Sequence, residues 1–244
     1  MHEAQMHDVN SFVTLTYDDD HLPGPSLVPP HLSSFIKRIR RSGDRFRFFG
    51  VGEYGERDKR PHYHVLLFGK TFAAREKLKE GLYRSPELEK FWKFGMSSFG
   101  DVTYASAGYV AKYSVKKVNG AAADEHYKRV HIGTGEIVSV VPEFGRMSLR
   151  PGVGFTWFRK YWRDVYAARD GVVVNGRVLP TPLYYNRWMS TLCAIGDGVN
   201  LYSDKEYDRY INSEKFKDDC TPERLAVREV VAKAKLEFNT NRSL

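Results

Sequence analysis

Polar and apolar residues alternate through Phe12-Val13-Thr14-Leu15-Thr16-Tyr17 and then give way to Asp18-Asp19-Asp20. That period of two predicts a half-buried strand running into a loop. The Pro-rich stretch from Leu22 to Pro30 predicts a loop, and Pro29-Pro30 delivers the chain to a helix. There the period changes: Leu32, Phe35, Ile36 and Ile39 fall at i, i+3, i+4 and i+7, one apolar stripe of a helix that Ser42-Gly43-Asp44 ends. Arg45 to Tyr54 predicts a second strand, with Phe46, Phe48, Phe49 and Val51 as its apolar mass. A polar turn from Gly55 to Pro61 leads into a third, His62-Tyr63-His64-Val65-Leu66-Leu67-Phe68, so the two should form an antiparallel hairpin.

Farther along, Thr71 to Tyr83 is mixed and reads as helical in part, and Ser85-Pro86 has the N-cap and first-turn chemistry of a helix start. Gly95 to Val102 predicts a short strand, and Tyr104 to Lys117 an Ala-containing helix with lysines at its C-terminal end. Ala121 to His126 reads as flexible. Ile137 to Val141 and Arg146 to Leu149 are expected as strands, and the turn Pro151 to Gly154 leads into an aromatic, basic helix from Phe155 to Ala168. Trp157, Tyr161 and Trp162 on it are expected to pack rather than to stack on bases. Val172 to Leu179 carries a central Asn-Gly, the signal of a tight hairpin. After Tyr184-Tyr185 the chain becomes charged, and Thr221-Pro222-Glu223 opens a long C-terminal helix.

Charge narrows the class of partner. The formal net charge is +8 and the pI is about 9.3, which favours a polyanion, nucleic acid before membrane. Aromatic residues make up 14%, enough to serve both a core and stacking on unpaired bases. Only Cys193 and Cys220 are present, which excludes a disulfide framework or a cysteine zinc site. No apolar run approaches the length of a membrane span, and Met1-His2-Glu3-Ala4-Gln5 lacks the regions of a signal peptide. A soluble, intracellular protein is the expectation.

Candidate chemistry gathers at two places. Side chains alternate along a strand, so His62 and His64 share a face while Tyr63 points to the other. The hairpin brings Glu53 near His62, and a carboxylate beside two imidazoles suits a divalent cation with open positions. An ordinary histidine pair and a cross-strand salt bridge from Glu53 are the bland alternatives. On the later helix Tyr109 and Tyr113 lie one turn apart on one face, about 6 Å along the axis. Each is followed three residues on by a lysine, Lys112 and Lys116. A tyrosine hydroxyl needs an adjacent cation to act as a nucleophile, although tyrosines at this spacing are also common on amphipathic helices. Lys37, Arg38, Arg40 and Arg41 lie mostly off the first helix's stripe and form either a phosphate-facing surface or a solvated one.

In combination, the first strand, Glu53 ahead of His62-Tyr63-His64, and the two-tyrosine helix resemble the three motifs of the HUH endonuclease superfamily. Tyr109-Val110-Ala111-Lys112-Tyr113 followed by Lys116-Lys117 is similar to the two-tyrosine helix of rolling-circle replication initiators of Microviridae. Gly52-Glu53-Tyr54-Gly55-Glu56, Arg60-Pro61-His62-Tyr63-His64, Met147-Ser148 and Pro151-Gly152-Val153-Gly154 look like the gokushovirus branch. The resemblance covers about Met1 to Tyr185, which implies an endonuclease domain over 1–185 and a charged, mainly helical extension over 186–244. Relatives of this kind usually begin with a cysteine-containing segment ahead of the position of Met1, so a shorter start or a truncated copy is expected.

The resemblance implies an α+β fold, a central antiparallel sheet with flanking helices around a core like that of RNA-recognition motifs. It implies Mg²⁺ or Mn²⁺ held by His62, His64 and Glu53, with Tyr109 or Tyr113 as nucleophile and Lys112 and Lys116 as charge-stabilising or acid groups. Lys117 joins Lys37, Arg38, Arg40 and Arg41 as candidate DNA contacts. The implied partners are single-stranded or supercoiled circular phage DNA at the origin and a host polymerase and helicase, without a membrane, in the host bacterial cytoplasm. An HUH relaxase or transposase, or a non-enzymatic nucleic-acid-binding module, would carry much of the same pattern.

Overall fold

The computed structural model describes residues 1–56, 58–113, 117–120, 122–131, 133–169, 171–174, 176–194 and 221–241. Its chain divides into two compact units, Met1–Val153 and Gly154–Leu244. This cut follows compactness, whereas the one at residue 185 followed the extent of the sequence resemblance.

The first unit runs β1 (Asn10–Tyr17), α1 (Pro29–Arg41), β2 (Arg47–Tyr54), β3 (Pro61–Phe68), β4 (Glu76–Lys79), β5 (Leu82–Arg84), α2 (Pro86–Phe91), β6 (Gly95–Asp101), α3 (Tyr104–Tyr113), α4 (Ala123–His126), β7 (Lys128–Val130), β8 (Ile137–Ser139) and β9 (Phe144–Met147). Seven of these strands form one antiparallel sheet in the order β4-β5-β6-β1-β3-β2-β9, and β7 pairs with β8 separately. With helices on both faces, this is the expected α+β architecture.

Strand alternation assigns the two faces. Val13, Leu15 and Tyr17 of β1 and Tyr63, Val65 and Leu67 of β3 are buried with Leu32, Phe35, Ile36 and Ile39 of α1 in the main core. Burying each of those α1 side chains contributes about 1.5–3 kcal/mol, which is why the apolar stripe and not helix propensity fixes this helix. The opposite face packs Val51, Leu66 and Phe68 against Val110 and Tyr113 of α3 and against Ala4, from a short 3-10 turn at Ala4–Met6. Glu3 Oε1 lies 2.6 Å from Arg47 Nε and ties that turn to β2.

Three stretches depart from the sequence reading. Thr71 to Tyr83, expected as partly helical, instead forms the edge strand β4 and the start of β5 around Gly81, whose φ of +68° suits a tight turn. The side chains of β4 are exposed throughout, so no buried stripe marks the segment, and Arg75 holds it to the sheet by lying over Tyr83 and Phe99. Ala123 to His126, expected as flexible, is the single turn α4. It precedes the buried Tyr127, whose hydroxyl donates to Glu143 Oε2 at 2.6 Å. The strand expected at Arg146 to Leu149 begins two residues earlier, at Phe144.

The second unit contains α5 (Phe155–Arg163), a π-helical turn (Asp164–Arg169), the hairpin β10 (Val172–Val174) and β11 (Arg177–Leu179), α6 (Leu183–Ala194) and α7 (Pro222–Asn241). Phe158, Trp162, Tyr166, Tyr185 and Met189 make its core, with Trp157 stacked on Tyr185. These aromatics pack, as their positions in the sequence led us to expect. Among the described residues, no helix is long and apolar enough to cross a membrane.

Candidate metal centre

Register places the candidate ligands. Glu53 of β2 stands opposite His62 of β3, Val51 opposite His64, and Thr14 of β1 opposite His64 from the other side. The strand period then puts Glu53, His62, His64, Thr14 and Phe12 on one face. Tyr63, between the histidines, goes to the other face, where its hydroxyl meets that of Tyr17 at 2.8 Å and donates to the Val28 carbonyl.

Nε2 of His62 lies 2.6 Å and Nε2 of His64 2.9 Å from the same carboxylate oxygen, Glu53 Oε1. The three donor groups fall within 4.8 Å of one another, and they are the only such group among the described residues. Their protonation pattern fits a cation. His62 Nδ1 is 3.0 Å from the Arg60 carbonyl, which can only accept, so Nδ1 carries the proton. In a neutral His62 the Nε2 lone pair then faces a carboxylate oxygen, two acceptors in contact. A positive charge between them removes the conflict, as a divalent metal does. Glu53 Oε2 is buried and without a hydrogen-bond partner, a second ligand atom in reserve. His64 Nδ1 is held by Thr14 Oγ1 at 3.0 Å, the outer contact that orients a metal-binding imidazole.

Electrostatics favours the ligating forms. Burial lowers the His64 pKa below its usual value against the opposing pull of Glu53, so the ring is held neutral. Burial alone would raise the Glu53 carboxyl, but the contacts with His62 and His64 outweigh it and leave its pKa below the ordinary range.

Helix α3 crosses this face and brings both tyrosines to it. The Tyr109 ring is edge-on to His64 at 5.1 Å, the Tyr113 ring is stacked on His64 at 5.7 Å, and the two phenol rings are 4.8 Å apart. Burial, first of all, raises both phenol pKa values, with the Glu53 and Glu56 carboxylates adding to it. The contact between the two hydroxyls splits the pair, raising Tyr113 and lowering Tyr109. Both are protonated at rest, so any nucleophilic use of them requires a neighbouring cation.

The other candidates sit elsewhere. Lys112 is half-buried on the last turn of α3, Lys117 is exposed beyond it, and Lys116 lies outside the described residues. Lys37, Arg38, Arg40 and Arg41 are on α1, across the sheet from the tyrosines. Arg38 donates through Nε to the Phe91 carbonyl at 2.7 Å and lies over Phe94, which engages it in holding α1 to the region of α2. Phe12, stacked on His64 at 5.5 Å, and Thr14 were not singled out from the sequence as site residues. Their signal was available in the alternation of β1, since every second residue of that strand shares the face of the histidines.

Residues 10–118 match the family model for the replication-associated protein ORF2. The chain is 34% identical over 203 residues to replication-associated protein VP4 of Bdellovibrio phage phiMH2K, covering 77% of this chain and 60% of that one. It is 32% identical over 199 residues to replication-associated protein ORF2 of Spiroplasma virus 4, covering 74% and 58%. With replication-associated protein ORF4 of Chlamydia phage 1 it shares 38% identity over 129 residues, covering 47% and 32%. The chain thus spans 60% or less of the length of these relatives. No solved structure gives a significant match. The matched segment holds β1, Glu53, both histidines and both tyrosines, and on that ground the chain belongs to the family of the replication-associated protein ORF2, in its Microviridae-like, rolling-circle-initiator branch.

Proposed function

We propose that this protein initiates rolling-circle replication by nicking and rejoining phage DNA at an origin through a tyrosine nucleophile. The observation that carries the reading is the packing of both phenol rings against His64, whose Nε2 shares one carboxylate oxygen with His62. The residues suit the reaction in order. Glu53, His62 and His64 would hold Mg²⁺ or Mn²⁺, and a cation bound there supplies Lewis-acid polarisation of the scissile phosphate. Imidazole is a soft ligand for Mg²⁺, so Mn²⁺ should support the activity better in vitro.

The phenolic oxygen of Tyr109 or Tyr113 attacks phosphorus as its proton leaves. An O–P bond forms, the bond from phosphorus to the 3′ oxygen breaks, and the electron pair leaves with that oxygen. Lys112 is the candidate acid that protonates it, or the charge that steadies the pentavalent phosphate. The products are a 5′-phosphotyrosine and a 3′-hydroxyl that a host polymerase, aided by a helicase in the host cytoplasm, can extend. Because the phosphotyrosine keeps the energy of the phosphodiester, the second tyrosine can cut after one round while the displaced end is rejoined. Rings 4.8 Å apart against one histidine suit such alternation.

The test is covalent capture. Purified protein with Mn²⁺ is incubated with single-stranded oligonucleotides tiling the encoding genome, and one of them should become attached. If Tyr109→Phe with Tyr113→Phe leaves attachment intact, the reading is wrong.

A further inference from the structure

On the face of the sheet opposite the tyrosines, α1 and the edge strand β9 enclose a cleft of about 410 Å³ lined by Ser33, Lys37, Arg40, Phe48 and Arg146 among others. Three cations converge there and no carboxylate lines it. This is unusual in the first unit, where Arg47 pairs with Glu3, Arg60 with Asp19, Lys70 with Asp44 and Glu87, and Arg75 with Asp101. Among the described residues, Lys37, Arg40 and Arg146 have no ion-pair partner.

Two of the three are held in place without being neutralised. Arg40 lies over Phe46 and Phe48 at 5.5 and 5.6 Å, and Arg146 lies over Phe144 at 5.6 Å while its Nη1 donates to Ser33 Oγ at 2.6 Å. Aromatic faces fix a guanidinium's plane yet leave most of its N–H donors free, a preorganised receptor for a tetrahedral oxyanion. A hydroxyl, a lysine and two forked guanidiniums match a phosphodiester backbone. The register explains the convergence. Arg146 stands opposite Gly50, where a Cβ would already meet Leu32 of α1 at 3.3 Å. The bare backbone therefore lets α1 lie close over this part of the sheet, which brings Ser33 within reach of Arg146.

We propose that this cleft binds the phosphate backbone of a DNA segment other than the one being cut, so that one molecule holds DNA on both faces of its sheet. The proposal rests on DNA being the partner, and it needs no tyrosine chemistry. It also changes the assignment on α1: Lys37 and Arg40 bind together with Arg146, a residue far away in sequence, whereas Arg38 serves packing.

The probe is fluorescein-labelled dT30, titrated by anisotropy across a salt series. Arg40→Gln with Arg146→Gln should weaken binding about tenfold and reduce the salt slope by about 1.4, at about 0.7 per lost phosphate contact on a single strand. Lysine at both positions should restore most of the affinity, and Arg41→Gln, exposed on the same helix outside the cleft, should change it less than about twofold. In the unaltered protein, dT30 should protect Arg40 and Arg146, but not Arg41, from phenylglyoxal, mapped by mass spectrometry. This reading survives even if the glutamine variants do not fold. Equal loss in the double variant and Arg41→Gln, no loss in either, or no selective protection would overturn the cleft. The Tyr109→Phe, Tyr113→Phe protein should show the same charge dependence, so failure of covalent attachment and failure of the cleft are separately visible.

Discussion

At the scale of single residues, the site depends on atoms that hold other atoms. Thr14 does nothing chemical, yet its hydroxyl at 3.0 Å fixes the His64 ring, so Thr14→Val should weaken Mn²⁺ binding by about tenfold or more, read by calorimetry. An unchanged affinity would mean that packing on Phe12 alone orients the ring. Across the sheet, His31 gives a pH prediction. Burial, and then the charge of Arg38, lowers its pKa, while its Nδ1 meets the Tyr17 hydroxyl at 2.7 Å. A folded value below the unfolded one means that the unfolded chain binds more protons. Its contribution is therefore complete above about pH 6.5 and is lost as pH falls through the folded value. The His31→Gln protein should show a shallower loss of stability on acidification in urea titrations at successive pH values, and an unchanged slope would contradict this. At this scale the sequence was most legible for His62, His64 and Glu53, because strand alternation and a hairpin suffice to place them. Thr14 was not singled out, since a threonine in a strand looks the same whether or not it supports a histidine.

At the scale of elements, close backbone approaches decide what can change. Gly95 begins β6 at a φ of +137°, and a methyl group there would meet the Asp18 nitrogen at 2.2 Å and the Thr16 carbonyl oxygen at 2.6 Å. Gly95→Ala should therefore cost more than about 2 kcal/mol, measured by chemical denaturation, because strain and backbone clash add. A loss within about 0.5 kcal/mol would show that the β1–β6 edge yields. Ser85 caps α2 by accepting from the Glu87 nitrogen and also donates to the Ala73 carbonyl at 2.6 Å. Ser85→Ala should cost about 1–2 kcal/mol by the same assay. The N-cap signal was readable in the sequence and the strands just before it were not. β4 exposes all its side chains, so it leaves no periodic pattern, and β5 is defined by pairing to partners distant in the chain. Likewise the α3 sequence shows a helix with two tyrosines but not which face of the sheet receives it. Only Val110 and Tyr113 of that helix are buried, too short a stripe to signal direction.

At the scale of the whole molecule, one antiparallel sheet separates two kinds of surface. One face carries the carboxylate, the imidazoles and the phenols; the other carries α1 and the basic cleft. The net charge of +8 is readable from composition alone, but its placement is not, because Arg146 joins Lys37 and Arg40 only through the β2–β9 pairing. A metal at Glu53, His62 and His64 binds the folded chain alone, so Mn²⁺ at a hundred times its dissociation constant should stabilise the protein by about 2.7 kcal/mol. Glu53→Gln should abolish that shift in a thermal scan, and a shift retained by the variant would place the ion elsewhere. The central claim is more demanding than metal binding, since it requires one of two phenols beside one histidine to take up DNA. The most direct measurement is mass mapping of the covalent DNA–peptide adduct formed with Mn²⁺. The account predicts the added nucleotide mass on Tyr109 or Tyr113 and its disappearance with chelator; attachment at Tyr63, Tyr104 or any other residue, or attachment that persists without metal, would contradict it.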